Sequence, residues 1–265
     1  MCTPASLIVM KDRIFWSRFS ESHEDIIEEY SLHMFGARGP NGVRVELSPP
    51  HPLNYADPIE RWMLTIDQDM LPDWWDYEEC LKRVRDVVRE EWLPTKVVLP
   101  GEVRETIKNK HLVAVYGTVD YMWDVLVDEI GSNGRVMEVC GSSHINDLHG
   151  HGKIDKLRGN SVVQNASDNA RIHSMYGWSR VIRLYGDAQI DWMSDESRVD
   201  LATDNSIIRE ITENASVGKV DGLAKIKRIG GQASAILHNR QKDLALSGNA
   251  VVIDCADLPK LLDRN

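Results

Sequence analysis

One apolar position recurs every nine residues along more than a hundred residues of this chain. It reads Val127, Val136, Ile145, Ile154, Val163, Ile172, Val181, Ile190, Val199, Ile208, Val217 and Ile226, then Ala235, Leu244 and Ile253. A second apolar residue follows three positions later in most units, as in Val139, Leu148, Leu184 and Ile229. A small residue precedes by two, as in Gly134, Ser143, Gly152, Ala170 and Ser197. A turn former lies five positions after, as in Gly141, Gly150, Asp168, Gly177 and Asp204. A fixed period held this long marks a stacked solenoid and outranks local propensity.

The unit is too short for a helical hairpin, and its centre is β-branched. The small and central residues, two apart, share one side of a short strand. The second apolar residue lies past a bend, and Gly or Asp supplies the left-handed backbone of a tight corner. The expected architecture is a parallel β-solenoid (β-helix) of nonapeptide repeats over residues 127–258, with two or three units per coil. Two per coil would give about seven coils and roughly 34 Å of stacked strands, at about 4.8 Å per coil.

Calcium-binding nonapeptide rolls need corners of the type Gly-Gly-x-Gly-x-Asp, so that carboxylates and carbonyls reach the ion. The corners here read Gly-Trp-Ser-Arg (177–180), Gly-Asp-Ala-Gln (186–189) and Asp-Glu-Ser-Arg (195–198), so no calcium and no other cofactor is expected. His144, His149 and His151 have a composition that can hold zinc or nickel, but their register does not require them to converge, and no metal site is assigned. The residue before the central position is often basic (Arg135, Lys153, Arg171, Arg180, Arg198) and the residue after it often acidic (Asp155, Asp191, Asp200). The ordinary reading is a solvated ladder of ion pairs worth little each. The sharper one is a binding face built on Arg171, Arg180 and Arg198, with Tyr176, Tyr185 and Trp192 as an aromatic patch that Trp178 would join. Aromatics that simply brace solenoid corners are the competing explanation.

Charge divides unevenly. Residues 127–265 carry 19 acidic and 17 basic groups, and residues 1–126 carry the remaining 22 and 14 of the 41 and 31 in the chain. The near-neutral repeat argues against a DNA mimic, and the acidic first half against non-specific nucleic-acid binding by that half. Cys2, Cys80, Cys140 and Cys255 show no paired spacing, which fits a reducing, cytoplasmic setting. Neither a signal peptide nor a membrane span is expected.

Residues 1–100 follow another grammar and read as a small α+β domain. Strands are expected near 6–10, 13–15, 43–47, 62–66, 96–99 and 112–116. One helix is expected near 22–33, after the capping-box-like Ser22-His-Glu-Asp25, and another over Tyr77–Trp92. Six of the eight tryptophans lie at or before Trp123, which calls for a real core. Residues 101–126 read as a junction and N-terminal cap of the solenoid, and 259–265 as a tail.

The chemically pointed residue of the first domain is Cys2. Removal of Met1 would leave a thiol and an α-amine on neighbouring carbons, the amine serving as local base. His23, Glu24 and Asp67 are its candidate partners as base and orienters. A helix cap accounts equally for Ser22–Asp25. The Met-Cys opening resembles that of glutamine amidotransferases and of proteins that crosslink abasic DNA, but Thr3 and Pro4 depart from their pattern.

Met1-Cys-Thr-Pro-Ala-Ser6, Lys11-Asp-Arg-Ile-Phe-Trp16, Ser22-His-Glu-Asp-Ile26, Asp67-Gln-Asp-Met-Leu-Pro72, Val98-Leu-Pro-Gly-Glu102 and the Tyr-Gly pairs at 116–117, 176–177 and 185–186 together resemble a family of uncharacterised phage and prophage proteins. The resemblance implies the cytoplasm of an infected bacterial host. Three functions stay open at this stage. One is a binding or assembly scaffold for a host protein, a nucleic acid or further copies of itself, homo-oligomeric and without membrane contact. The second is a transferase or hydrolase using Cys2. The third is a virion structural component.

Overall fold

The computed structural model describes residues 4–37, 39–51, 54–241 and 243–255. Two compact units are present: Met1–Leu99 with Lys110–Ala114, and Pro100–Asn109 with Val115–Asn265.

In the first unit, β1 (Ala5–Met10), β2 (Ile14–Phe15), β5 (Gly42–Ser48) and β6 (Met63–Ile66) form an antiparallel sheet in the order β2-β1-β5-β6. A small antiparallel pair, β3 (Phe35–Gly36) and β4 (Gly39–Pro40), precedes β5. Helix α1 (His23–Glu29) starts where Ser22 accepts the Asp25 N–H. It ends earlier than the apolar spacing suggested. Ser31 turns left-handed (φ 51°), the Ser31 N–H bonds Glu28 O and the Leu32 N–H bonds Ile27 O, which closes the last turn by a Schellman motif. Ile8, Ile26 and Met34 form a buried cluster between helix and sheet.

Helix α2 (Tyr77–Val87), capped by Asp76 on the Glu79 N–H, runs through a π turn (Val88–Trp92) into α3 (Leu93–Lys96). Pro94 explains the wide turn. It cannot donate to Glu90 O and its ring would strike that carbonyl, so the chain loosens and the Leu93 N–H reaches Val88 O instead. Tyr55, Trp62 and Trp92 pack together, ring centroids 5.9–6.5 Å apart. Beside them Lys96, fully buried, meets Glu21 at 2.8 Å. Strands β7 (Val97–Val98) and β9 (His111–Val115) lie side by side, with β8 (Val103–Lys108) between them in sequence.

The second unit is the parallel β-solenoid. Its strands are β8, β10 (Thr118–Trp123), β11 (Leu126–Ile130), β12 (Arg135–Cys140), β13 (His144–Leu148), β14 (Lys153–Leu157), β15 (Val162–Ala166), β16 (Arg171–Met175) and β17 (Arg180–Leu184). Then come β18 (Gln189–Met193), β19 (Arg198–Ala202), β20 (Ile207–Ile211), β21 (Ser216–Val220), β22 (Lys225–Ile229), β23 (Ser234–Leu237), β24 (Ala245–Leu246) and β25 (Val251–Asp254). Even-numbered strands stack into one nine-stranded parallel sheet from β8 to β24, and odd-numbered strands from β11 to β25 into the other. From β11 to β22 partners are 18 residues apart, as in Ile154↔Ile172 and Val163↔Val181, so one coil uses two units; the first coils are shorter, with Val103↔Thr118 and Thr118↔Arg135 in register.

Each unit buries three residues: the small one, the central one and the second apolar one. In most units the two residues between the apolar pair both face outward, as at Asp155 and Lys156 between Ile154 and Leu157; Glu129 and Ser174 are buried exceptions. Buried serines lock corners, with Ser143, Ser161 and Ser206 Oγ donating to the carbonyl three residues back. At the left-handed corner position, Asp168, Asp195 and Asp204 each accept the N–H of the corner glycine 18 residues earlier, at 2.8–3.2 Å. The corner acids thus stitch neighbouring coils.

The repeat slips once. From β23 onward partners are 17 apart, with Ala235↔Val252 and Ile229↔Leu246. The inward position of the last coil is therefore Val252, not Ile253, which is 53% exposed, and Leu244 belongs to no strand. One residue is missing within β23 itself: Val217 and Val220 of β21 pair with Ala235 and Leu237, so Ile236 alone stands where two residues lie in the other units. Gln241 Oε1 accepts the Ile226 N–H and its Nε2 donates to Ala224 O, while Asn239 Nδ2 donates to Gly222 O and Ala224 O. These side-chain amides bond the backbone at and before β22, and the 17-residue offset is the same on either side of them.

Candidate functional site

Two units per coil have a direct consequence for the outer surface: consecutive repeats alternate between sheets. Arg171 and Trp192 lie on the even-numbered sheet, whereas Arg180 and Arg198 lie on the odd-numbered one. Tyr176 sits at the corner after β16 and Tyr185 at the opposite corner, after β17. The sequence-derived binding set is thus split. Tyr176 and Trp192 do meet, edge to face, at 5.4 Å, and Trp192 Nε1 donates to Thr212. Trp178 is 69% exposed on the same corner as Tyr176.

The ion-pair ladder has a rule. A basic residue just before the central position pairs with an acid 20 residues on, one coil up and two positions along. Arg135 meets Asp155 at 2.6 Å and Arg171 meets Asp191 at 2.6 Å on the even sheet, and Arg180 meets Asp200 on the odd sheet. Arg198 breaks the rule because residue 218 is Gly, and it turns to Asp200 in its own strand at 2.8 Å. Burial would raise the Asp191 carboxyl. Hydrogen bonds from His173 and Arg171, with the charges of Arg171 and Arg209, outweigh that and hold it below its usual value.

The even sheet breaks the rule at Lys153. Its counterpart 20 residues on is His173, which itself binds Asp191 at 2.9 Å. Among the described residues Lys153 is therefore left without a carboxylate, between the stacked residues Arg135 and Arg171. Lys156, on the same strand, is also exposed. Arg135, Lys153, Lys156, Arg171 and His173, with the one carboxylate of Asp155, line an open groove of about 510 Å³, and Lys156 also borders the adjoining hollow at Tyr176. The sequence places Lys153 beside Asp155 and Arg198 beside Asp200 on strand faces; the structure pairs only the second, and Lys156 and His173 were not singled out. The missing signal was the 20-residue spacing and the absence of an acid at 173.

From Arg135 to Arg228, outward strand positions of the even sheet hold eight Lys or Arg and four Asp or Glu; from His144 to Leu237 the odd sheet holds four and two. By these counts the outward strand positions are net positive on both sheets, +4 on the even and +2 on the odd, in a chain of formal charge −10.

In the first unit, His23 is buried, with Nε2–H donating to Val45 O (3.0 Å) and Nδ1 3.3 Å from Asp67. Glu24 turns away to Arg44 at 3.2 Å. The structure brings His23 and Asp67 together and leaves Glu24 apart from them; Cys2 lies outside the described residues. Cys80 is buried, and that burial pushes its thiol up. Near the start of the solenoid, the Glu129 carboxylate, 3% exposed, accepts from Tyr116 and meets His149 Nε2 at 3.3 Å. That bond raises the His149 imidazole above its ordinary value.

Among the described residues no group of three or more His, Cys, Asp or Glu could hold a metal ion, and no helix is long and apolar enough to cross a membrane. No family model, curated protein or solved structure matches the chain.

Proposed function

We propose that this protein is a binding scaffold whose working surface is the even-numbered sheet of the solenoid, and that its partner is anionic. The observation that carries the reading is the interrupted ladder at Lys153. Arginines on either side are fixed by carboxylates one coil up, and the lysine between them has none. Stacked strands hold these cations on a rigid backbone, so little ordering remains to be done on binding. Opposite charge on an otherwise acidic molecule would also speed encounter with a polyanion. The resemblance of the N-terminal motifs to phage proteins supports an infected bacterial cytoplasm as the setting.

The test is retention of the full chain on a heparin column at low salt, with Lys153→Glu/Lys156→Glu eluting clearly earlier. Flow-through of the unmodified protein would overturn the reading. A second reading, a hydrolase or transferase with Cys2 as nucleophile, gains no base from His23, whose ring nitrogens are already engaged by Val45 O and Asp67. It requires removal of Met1, seen by intact mass, and a Cys2 thiol that outpaces Cys80 toward a thiol probe.

A further inference from the structure

We infer that the occupant of the even-sheet face is single-stranded nucleic acid, with phosphates on Arg135, Lys153, Lys156 and Arg171 and a base stacked at Tyr176 and Trp192. This rests on the scaffold reading above and gives its partner a chemistry.

Three features of the face favour this occupant. First, the cations form a line rather than a point. Arg135, Lys153 and Arg171 are register neighbours on three successive strands, about 4.8 Å apart. A line of positive charge suits a repeating polyanion better than a lone phosphate. Asp155 and Asp191 hold the two arginines on one edge of each guanidinium and leave the Nη1 edge unused in both. Second, the line leads to aromatics. Lys156 borders both the groove at Arg135–Arg171 and the hollow at Tyr176. Two residues of strand, about 7 Å, separate the register positions of Lys156 and Tyr176 along the strand direction. That separation suits a phosphate and the base of its own nucleotide. Trp192 is 38% exposed and braced by Tyr176 and Thr212, so its ring is held ready rather than free to collapse.

Third, the pairing of features discriminates between polyanions. A duplex keeps its bases stacked inside and cannot use Tyr176 and Trp192, and an acidic peptide offers no ring to them. Single strands offer both a phosphate line and bare bases, which is how such surfaces bind without reading sequence.

The experiment is fluorescence anisotropy of a 5′-fluorescein-labelled twelve-nucleotide oligo(dT) with the full chain, from about 50 to 200 mM salt. Binding is expected at low salt. Lys153→Glu/Lys156→Glu, and separately Lys153→Gln/Lys156→Gln, should each weaken it by about tenfold or more. With two phosphate contacts gone, the slope of log K against log salt should flatten by about 1.4. Trp192→Ala should weaken binding about fivefold or more and leave that slope unchanged. Arg183→Glu/Lys219→Glu changes net charge equally on the odd-numbered sheet and should cost no more than about threefold.

Several outcomes overturn the inference: no oligonucleotide binding at about 50 mM salt, equal loss from the Arg183/Lys219 variant, no effect of Trp192→Ala, or equal affinity for a duplex of the same length. Heparin retention without oligonucleotide binding removes the nucleic-acid assignment and leaves the scaffold; loss of both removes both.

Discussion

The solenoid core makes a graded prediction about where a cavity hurts most. Ile190 is fully buried and has Ile172 on the strand below and Ile208 on the strand above, in register. Ile226 is as buried but has Ile208 on one side only, because β24 pairs with β22 solely at Arg228 and Ile229. Ile→Ala removes three carbons, a transfer loss of about 2.4 kcal/mol at about 0.8 per group. If nothing relaxes, about 75 Å³ of vacated space adds about 1.8 kcal/mol. At Ile190 two rigid strands hold the cavity open, so the full sum of about 4 kcal/mol is expected. At Ile226 the open side lets neighbours settle inward, and about 3 kcal/mol is expected. In a stack coupled through nearest neighbours the difference should also be local. Hydrogen exchange read by mass spectrometry on peptides spanning 189–211 and 225–237 reports each opening separately, which avoids treating two units as one transition. An Ile226→Ala cost equal to or above that of Ile190→Ala would refute the one-dimensional packing argument.

Gly152→Ala should destabilise by about 1–3 kcal/mol, since its Cβ would sit 2.6 Å from Ile130 O, whereas Ala170→Gly at the same repeat position should cost under about 1 kcal/mol; thermal melts of the pair compare them. Lys96→Ala strands the buried Glu21, whose carboxyl burial already raises, and should cost about 3–5 kcal/mol in urea titration, most of it recovered by Lys96→Met with Glu21→Leu. The lowered Asp191 carboxyl contributes stability above its ordinary value of 3.8 and loses it as pH falls through the lower folded value. Melting temperatures measured from about pH 6 down to 2 should therefore fall less steeply in Asp191→Asn. His149, raised by Glu129, contributes stability below 6.5 that is lost as pH rises through its folded value; its NMR titration should shift down in Glu129→Gln.

Much of the solenoid is legible in sequence because each inward position meets the same kind of residue one coil above and below, so Val163 and Val181 must solve one packing problem together. Coil length was less plain. It is written in the ion pairs, since Arg135–Asp155, Arg171–Asp191 and Arg180–Asp200 share a spacing of 20, one coil plus two residues. Missing that spacing placed Arg171 with Arg180 and Arg198, which the alternation of sheets separates. The slip at the last coil was hidden because it is the loss of one residue between Ala235 and Leu237, where the residues between the two apolar positions follow no apolar pattern. In the first unit, helix starts followed their caps, but the end of α1 depended on a left-handed serine, a residue with no marked preference for that conformation. Of the candidate Cys2 site, only the His23–Asp67 contact falls within the described residues.

Two repeats per coil also give the chain a parity. Inserting or deleting nine residues preserves every inward position, so the core would refold around the change without loss. Yet each residue downstream would cross to the opposite sheet. A nine-residue deletion between Arg135 and Lys153 would leave Arg135 facing one way and Lys153 the other, and the cation line would vanish from a protein that still folds. Stability therefore counts this sequence in nines, while any surface built on one face counts it in eighteens.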